Sequence, residues 1–137
     1  MSGPAEAPVP AEIQLLGLSC LLVVAQIVLV AQLSNRQYGL SWAASQRDEE
    51  TPPPGVLLGR AKRALANLLE TYPVFVAAVL AVAVVHRLDG WSLVGTHLYL
   101  WARVAYLGFY LAGVPLACSL VWNVALAGIV ILLWRLV

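Results

Sequence analysis

Cysteine, histidine and charged residues are all scarce in this chain. The two cysteines, Cys20 and Cys118, both lie in apolar segments, which argues against a disulfide framework and against a zinc site. The two histidines, His86 and His97, have no second histidine or carboxylate at metal-ligand spacing, so we predict no metal site. A net charge of +1 gives no electrostatic basis for binding nucleic acid. Glycine-rich phosphate loops and nucleophile elbows are also missing from the sequence.

Apolar residues make up most of the chain instead. Of its 137 residues, 61% are hydrophobic and only 11% are charged, and the mean hydropathy is +0.84. A soluble domain of this length does not need so much apolar surface. The composition therefore predicts a polytopic membrane protein with one small domain. The N-terminal segment lacks the basic start of a signal peptide, so we expect the first apolar segment to be retained.

The apolar segments and the breaks between them predict an all-α protein, an integral membrane four-helix bundle. Residues 1–12 are rich in proline and alanine and are predicted to be irregular, whereas 13–137 form the membrane domain. The predicted transmembrane helices lie at about 13–33, 56–86, 92–112 and 115–136. A polar connector that ends in three consecutive prolines separates the first two helices, and proline ends a helix.

The distribution of cations predicts the orientation in the membrane. Five of them lie in the first connector or at the start of the second helix: Arg36, Arg47, Arg60, Lys62 and Arg63. The other side of the membrane has only Arg87 and Arg135. Because short cytoplasmic loops are enriched in Lys and Arg, the first loop is predicted to be cytoplasmic and both termini extracytoplasmic.

A polar stripe enters the second predicted helix at its cytoplasmic end. Arg60, Arg63, Asn67 and Glu70 follow one another at steps of three, four and three residues. On a helix these side chains fall within roughly 80° of arc. Lipid cannot solvate them, so the stripe must face protein, water or a ligand.

The third predicted helix has a second stripe, formed by Tyr99, Arg103, Tyr106 and Tyr110. Arg103 lies near the middle of its segment, where a guanidinium costs at least ~2.5 kcal/mol on insertion scales. It therefore requires a polar or anionic partner, and Glu70 is the nearest candidate by depth. Such an ion pair would either serve a functional site or simply lock helix packing. The tyrosines alone would be compatible with packing and interfacial anchoring.

Together the two stripes have the chemistry to bind a small zwitterionic or polyanionic ligand. Guanidinium groups bind carboxylates through two hydrogen bonds, and a carboxylate such as Glu70 would accept an ammonium group. Glutathione, with two carboxylates and one amine, satisfies this inventory. A phospholipid headgroup satisfies it equally well, and the spacing does not choose between them.

At these two stripes the sequence resembles the MAPEG family, the membrane-associated proteins in eicosanoid and glutathione metabolism. In the second helix the resemblance rests on Arg60, Arg63, Asn67, Glu70, Pro73 and Phe75. In the third helix it rests on Ala102, Arg103, Tyr106 and Tyr110. The break at Gly113-Val114-Pro115, followed by Ser119 and Trp122, is most similar to short bacterial members.

The resemblance implies a four-helix protomer, a homotrimer, and glutathione as co-substrate between neighbouring protomers. One protomer would contribute Arg63, Asn67 and Glu70. The next would contribute Arg103, Tyr106 and Tyr110, and Arg36 is a further candidate for a glutathione carboxylate. The implied activity is that of a transferase or peroxidase, in which the glutathione thiolate attacks a lipophilic electrophile from the bilayer.

The chain departs from the family pattern early in the fourth helix. There an arginine of the family's enzymes stabilises the thiolate, and a nearby cation favours the ionised thiol. Here Leu116, Ala117 and Cys118 occupy the corresponding stretch, and no Lys or Arg lies between Arg103 and Arg135. Arg103 is therefore the candidate catalytic residue. Two functions remain open: a glutathione-dependent enzyme, or a non-catalytic trimeric membrane protein that binds lipid or protein.

Overall fold

A computed structural model describes residues 7–137, and all of its regular structure in that range is α-helical. The helices are α1 (Ala11–Tyr38), α2 (Leu40–Ala43), α3 (Val56–Val84), α4 (Gly90–Ala112) and α5 (Pro115–Trp134). Residues 7–10 precede α1 and have no regular structure. The remainder of the predicted irregular segment before α1, residues 1–6, lies outside the described range.

The first helix extends beyond its predicted end at residue 33. It continues through polar residues to Tyr38 and stops at Gly39, whose φ of 88° interrupts the helical backbone. Polarity alone does not end a helix, since hydrogen bonding continues until the backbone conformation changes. The one-turn helix α2 follows, and an extended proline-containing segment then leads to α3.

Within residues 7–137, three helices have the length and hydropathy of membrane spans: α1, α3 and α5. Helix α4 is also long, at 23 residues, but it is not one of these candidates because it carries Arg103, His97 and several hydroxyl groups. These apolar helices make the chain an integral membrane protein. The fourth predicted span stays a prediction.

Local sequence determines where α4 begins and ends. Asp89 caps its start, because the carboxylate accepts hydrogen bonds from the backbone N–H groups of Trp91 and Ser92, each at 3.0 Å. Ser92 Oγ in turn accepts from the backbone N–H of Asp89, which completes a capping box. At the other end Gly113 adopts a left-handed conformation with a φ of 79°, and Pro115 opens α5 at its first turn.

Helices α3 and α4 form the centre of the assembly, because each packs against the other and against both α1 and α5. The core is apolar and includes a stacked pair, Phe75 of α3 and Tyr99 of α4, whose ring centroids are 3.9 Å apart. Helices α4 and α5 approach most closely at Gly95 and Gly128. A Cβ atom on Gly95 would lie 2.8 Å from the carbonyl oxygen of Gly128, so these backbones touch without an intervening side chain.

The assembly has two polar ends. The connector end contains the α1–α3 connector, the start of α3, the end of α4 and the start of α5. The Asp89 end contains the start of α1, the turn between α3 and α4, and the end of α5. Hydrogen bonds establish this arrangement, since Arg60 at the start of α3 donates to a carbonyl at the end of α4, whereas Glu12 of α1 accepts from Ser92 of α4.

Candidate functional site

A cleft of about 610 Å³ opens at the connector end, between α3, α4 and α5. Its lining residues are Arg60, Arg63, Asn67, Tyr106, Tyr110, Gly113, Val114, Pro115, Cys118, Ser119, Trp122 and Asn123. Four of the predicted ligand-binding residues therefore lie together: Arg63, Asn67, Tyr106 and Tyr110. A volume of this size is typical of sites for small ligands, which occupy about 300–1,000 Å³.

Helical periodicity brings the two predicted stripes to this cleft from α3 and α4 of the same chain. Arg63 Nε donates a hydrogen bond to the Tyr110 hydroxyl at 3.3 Å. The rings of Tyr106 and Tyr110 are stacked, with centroids 5.4 Å apart. The resemblance divides these residues between two neighbouring protomers, and that division stays a prediction. Within one chain Arg63 already lies beside Tyr106 and Tyr110 in the wall of the cleft.

The guanidinium of Arg60 caps the C-terminal end of α4. Its Nη1 donates to the carbonyl oxygen of Leu111 at 3.0 Å, a group that has no partner further along the helix. The same guanidinium lies against Gly113, where a Cβ atom would approach Arg60 Nη1 to 2.8 Å. The left-handed conformation therefore favours glycine at this position, and a Cβ atom here would also require the flexible end of the Arg60 side chain to shift.

Arg103 lies behind the cleft and is only 2% exposed. Its Nη1 donates to Asn67 Oδ1 at 2.7 Å, and its Nη2 donates to Thr71 Oγ1. The expectation that Glu70 pairs with Arg103 is therefore wrong. Depth along the helix suggested that pairing, but the position of Glu70 around α3 turns it outward, whereas Asn67 and Thr71, one helical turn apart, face α4.

Aromatic rings and a hydroxyl network complete the surroundings of Arg103. Its Cζ lies 5.5 Å from the centroid of the Tyr99 ring and 5.4 Å from that of Tyr106. The hydroxyl groups of Thr71 and Tyr99 are 3.0 Å apart. These contacts offset part of the cost of burying the cation, whose Nε has no hydrogen-bond partner among the described residues. Arg103 does not line the cleft, and its predicted catalytic role stays a prediction.

Glu70 and Arg36 lie outside the lining of the cleft. Both are exposed, and neither is a lining residue. Within residues 7–137 neither side chain takes part in an ion pair, since the pair formed there joins Arg135 and Asp89. The ligand-binding roles that the resemblance implies for Glu70 and Arg36 stay predictions.

The α5 wall of the cleft contains residues that the sequence analysis did not assign to binding: Cys118, Ser119, Trp122 and Asn123. Cys118 is buried against Ala64 and Tyr106. The Trp122 indole N–H has no hydrogen-bond partner among the described residues. Asn123 donates to the backbone carbonyl of Ser119 at 2.8 Å. Their spacing of four residues, 118 to 122 and 119 to 123, was the available signal, because it defines one face of a helix.

The polar groups of this cleft are predominantly hydrogen-bond donors. Arg60 and Arg63 contribute guanidinium groups, Asn67 an amide, and Tyr106 and Tyr110 phenols. Such a set is able to bind carboxylate or phosphate oxygens. Residues 7–137 contain no group of three His, Cys, Asp or Glu side chains arranged to hold a metal ion.

Comparison with known proteins gives one match. No curated protein and no solved structure matches the chain. A sequence model of the MAPEG family, however, matches residues 15–137, which include all of α3, α4 and α5, α1 after its first four residues, and the whole lining of the cleft. This match confirms the resemblance, and the chain belongs to the MAPEG family.

Proposed function

We propose that the cleft binds glutathione and that the protein is a membrane-bound glutathione-dependent transferase or peroxidase acting on lipophilic electrophiles. Family membership supports a glutathione-related membrane function in general terms. The observation that carries the specific proposal is the convergence of Arg63, Asn67, Tyr106 and Tyr110 on one cleft of about 610 Å³.

The charges of the cleft are complementary to those of glutathione. Two guanidinium groups, Arg60 and Arg63, are available for its two carboxylates. Each makes a single hydrogen bond within residues 7–137 and has further N–H groups beyond it. Carboxylate recognition by arginine is directional and strong because two parallel hydrogen bonds form. The phenols of Tyr106 and Tyr110 would then lie beside the remainder of the tripeptide.

The α5 side of the cleft provides a route for an apolar substrate. Leu116 is 73% exposed and Leu120 is 63% exposed, and both lie on α5 near the lining residues Pro115 and Ser119. In a membrane this surface contacts lipid. A lipophilic electrophile dissolved in the bilayer would reach the glutathione sulfur from this side, while glutathione enters from the aqueous phase.

We also propose that the functional unit is a homotrimer. The exposed carboxylate of Glu70 supports this proposal, because it lies within the candidate span α3 and a charge facing lipid is unfavourable. A neighbouring copy would cover it and bring a second set of residues toward the cleft, as the resemblance implies. Native mass measurement in mild detergent is expected to give three chains; a monomer under all conditions would contradict the trimer.

The cation-rich connector supports a cytoplasmic connector end, with both termini extracytoplasmic. The cleft would then open toward cytosolic glutathione. A topology reporter fused after Val137 is expected to be active only outside the cytoplasm, and activity of a cytoplasmic reporter there would overturn this orientation.

One observation favours the second candidate, a non-catalytic membrane protein that binds lipid or protein on the same fold. The α5 wall presents Cys118, Ser119, Trp122 and Asn123 but no cation. Arg103 is engaged by Asn67 and Thr71 and lies behind the lining. The cations that remain for stabilising a thiolate are Arg60 and Arg63.

Titration calorimetry of the purified protein with glutathione tests binding, and ultraviolet difference absorbance of the bound thiolate tests activation. S-methylglutathione is the matched control, because it keeps the charges but has no ionisable thiol. We expect both ligands to bind, and only glutathione to give the thiolate signal and to react with chlorodinitrobenzene or an organic hydroperoxide. Binding without a thiolate signal or turnover would favour the non-catalytic candidate. Absence of binding would overturn the proposed function.

A further inference from the structure

We infer that Arg103 is a positioning residue: it fixes the amide of Asn67 so that the NH₂ group faces the cleft and donates to a carboxylate or carbonyl oxygen of the ligand. This inference rests on the proposed function and specifies it further. It replaces direct contact between Arg103 and the ligand by an action through Asn67.

The orientation of the Asn67 amide follows from the chemistry of its partner. A guanidinium group has only donors. Arg103 Nη1 lies 2.7 Å from the Asn67 side-chain oxygen, so that oxygen must be the acceptor. Turning the amide over would direct its NH₂ group at another N–H donor and would lose a charge-assisted hydrogen bond. The Asn67 nitrogen, Nδ2, is consequently directed away from Arg103.

Arg103 is itself held firmly enough to impose this orientation. It is 2% exposed, donates to Thr71, and has its Cζ within 5.5 Å of the centroids of two tyrosine rings. The planar guanidinium therefore has one set of partners. By contrast, an asparagine that lacked this neighbour would be free to present either end of its amide.

The free end of the amide faces the cleft. Asn67 is one of the lining residues and is only partly buried. Among the described residues its Oδ1 is engaged by Arg103, whereas no side-chain or backbone group accepts from its Nδ2. Asn67 therefore adds two N–H donors to the wall that already contains Arg63. At this point the cleft selects an oxygen acceptor of the ligand and disfavours its ammonium group.

The variant Asn67→Asp tests whether the side chain at this position donates a hydrogen bond to the ligand or accepts one from it. The variant keeps an oxygen for Arg103, now as an ion pair, but replaces the NH₂ group facing the cleft by a carboxylate oxygen. We expect the affinity for glutathione to fall about tenfold or more, while the melting temperature without ligand is not lowered. Asn35→Asp, which adds the same charge on α1 outside the lining, is the matched control and should bind as the parent does.

A double-mutant cycle tests whether Arg103 acts through Asn67. Arg103→Met should weaken glutathione binding when Asn67 is present. In an Asn67→Ala background, in which no amide remains to be oriented, it should change the affinity less than twofold. A residue that merely supports the fold would weaken binding by the same factor in both backgrounds. If Arg103→Met fails to fold, Arg103→Gln takes its place in the cycle, because a neutral amide can donate or accept and no longer fixes the orientation of the Asn67 amide.

The possible failures are distinguishable. If the parent protein does not bind glutathione, the proposed function fails and this inference fails with it. If the parent binds but Asn67→Asp binds equally well or more tightly, Asn67 does not donate to the ligand, and only the inference is overturned. Equal effects of Arg103→Met in both backgrounds would likewise overturn it.

Discussion

The two polar ends of the molecule use charged residues in opposite ways. At the Asp89 end the polar groups are paired within the chain: Arg135 forms an ion pair with Asp89, Ser92 donates to Glu12 at 2.6 Å, and Arg87 donates to the carbonyl oxygens of Arg135 and Leu136, each at 3.2 Å. At the connector end Arg63 makes one hydrogen bond, to a phenol at 3.3 Å, beside an open cleft of about 610 Å³.

This difference distinguishes polar groups that stabilise the fold from polar groups that are available to bind a ligand. Buried polar groups are normally satisfied within the protein, and those of the Asp89 end connect α1, α4 and the end of α5. Arg60, Arg63 and Asn67 keep unused donors that converge on one volume. A ligand would complete their hydrogen bonding. At the Asp89 end the groups named above are paired within the chain, although the buried Arg135 Nε has no partner among the described residues, and none of these groups lines the cleft.

The largest expected effect comes from separating α4 and α5 near the Asp89 end. Gly128→Leu would place a Cβ atom 2.9 Å from the backbone nitrogen of Tyr99 and still closer to the carbonyl of Gly95. These are backbone atoms, which cannot rotate away, so the helices must move apart. We expect destabilisation of about 3 kcal/mol, measured by unfolding in detergent. Gly108→Ala is the control, because a Cβ there has no neighbour within 4 Å; an equal loss in both variants would contradict this explanation.

The next largest effects are expected from replacing one arginine at each end of the molecule by alanine. Arg63→Ala is expected to lower glutathione affinity roughly tenfold to a hundredfold, with little change in melting temperature because Arg63 is exposed. Arg87→Ala should leave the affinity unchanged, because Arg87 does not line the cleft. It should lower the melting temperature slightly, because it removes two hydrogen bonds to the end of the chain at a residue that is also exposed. Calorimetry and thermal unfolding measure both properties. If both variants lost only stability, the distinction between the two ends would not hold.

The sequence was sufficient to predict much of the architecture and part of the site. Apolar length, Pro115 and the turn before α4 located the long helices to within a few residues, apart from the extension of α1 to Tyr38. Periodicity on α3 and α4 predicted that Arg63 and Asn67 share one face and Tyr106 and Tyr110 another. Local geometry determines both features, so they are readable without the tertiary structure.

Contacts between helices were harder to predict. Which α3 residue meets Arg103 depends on the rotation of each helix about its axis, and depth alone favoured Glu70 over Asn67 and Thr71. The contribution of α5 to the cleft was also missed. Its lining residues, such as Trp122 and Cys118, are embedded in an apolar segment, and only the packing of α5 against α3 and α4 shows which of its faces meets the cleft.

A gain of function would test whether the cleft lacks only a cation. Cys118 lines the cleft in the stretch of α5 where the family resemblance implies an activating arginine. Cys118→Arg is expected to raise the rate of conjugation with chlorodinitrobenzene about tenfold, because a neighbouring cation favours the thiolate. Cys118→Met provides a long neutral side chain as control. Brisk turnover by the parent protein would indicate that Arg60 or Arg63 already activates the thiol. Equally slow rates in the two variants would show that a cation at position 118 is not what the cleft lacks.

The smallest expected effect concerns the pH dependence of the Asp89 end. Backbone hydrogen bonding from Ser92 holds the pKa of the Asp89 carboxyl below its ordinary value, and Arg135 lowers it further. Because the pKa is depressed in the folded protein, the stabilisation is complete above the ordinary aspartate pKa of about 3.9 and is lost as the pH falls through the folded-state value. The melting temperature should therefore be nearly constant from about pH 7 to pH 5 and decrease slightly below that range.

Asp89→Asn keeps a capping oxygen but has no charge to lose, so its melting temperature should decrease less on acidification. Asp48→Asn, in the exposed connector, is the control and should retain the slope of the parent. An unchanged slope in Asp89→Asn would show that the charge of the Asp89 carboxylate, with its contacts to Ser92 and Arg135, does not contribute to the stability of this end.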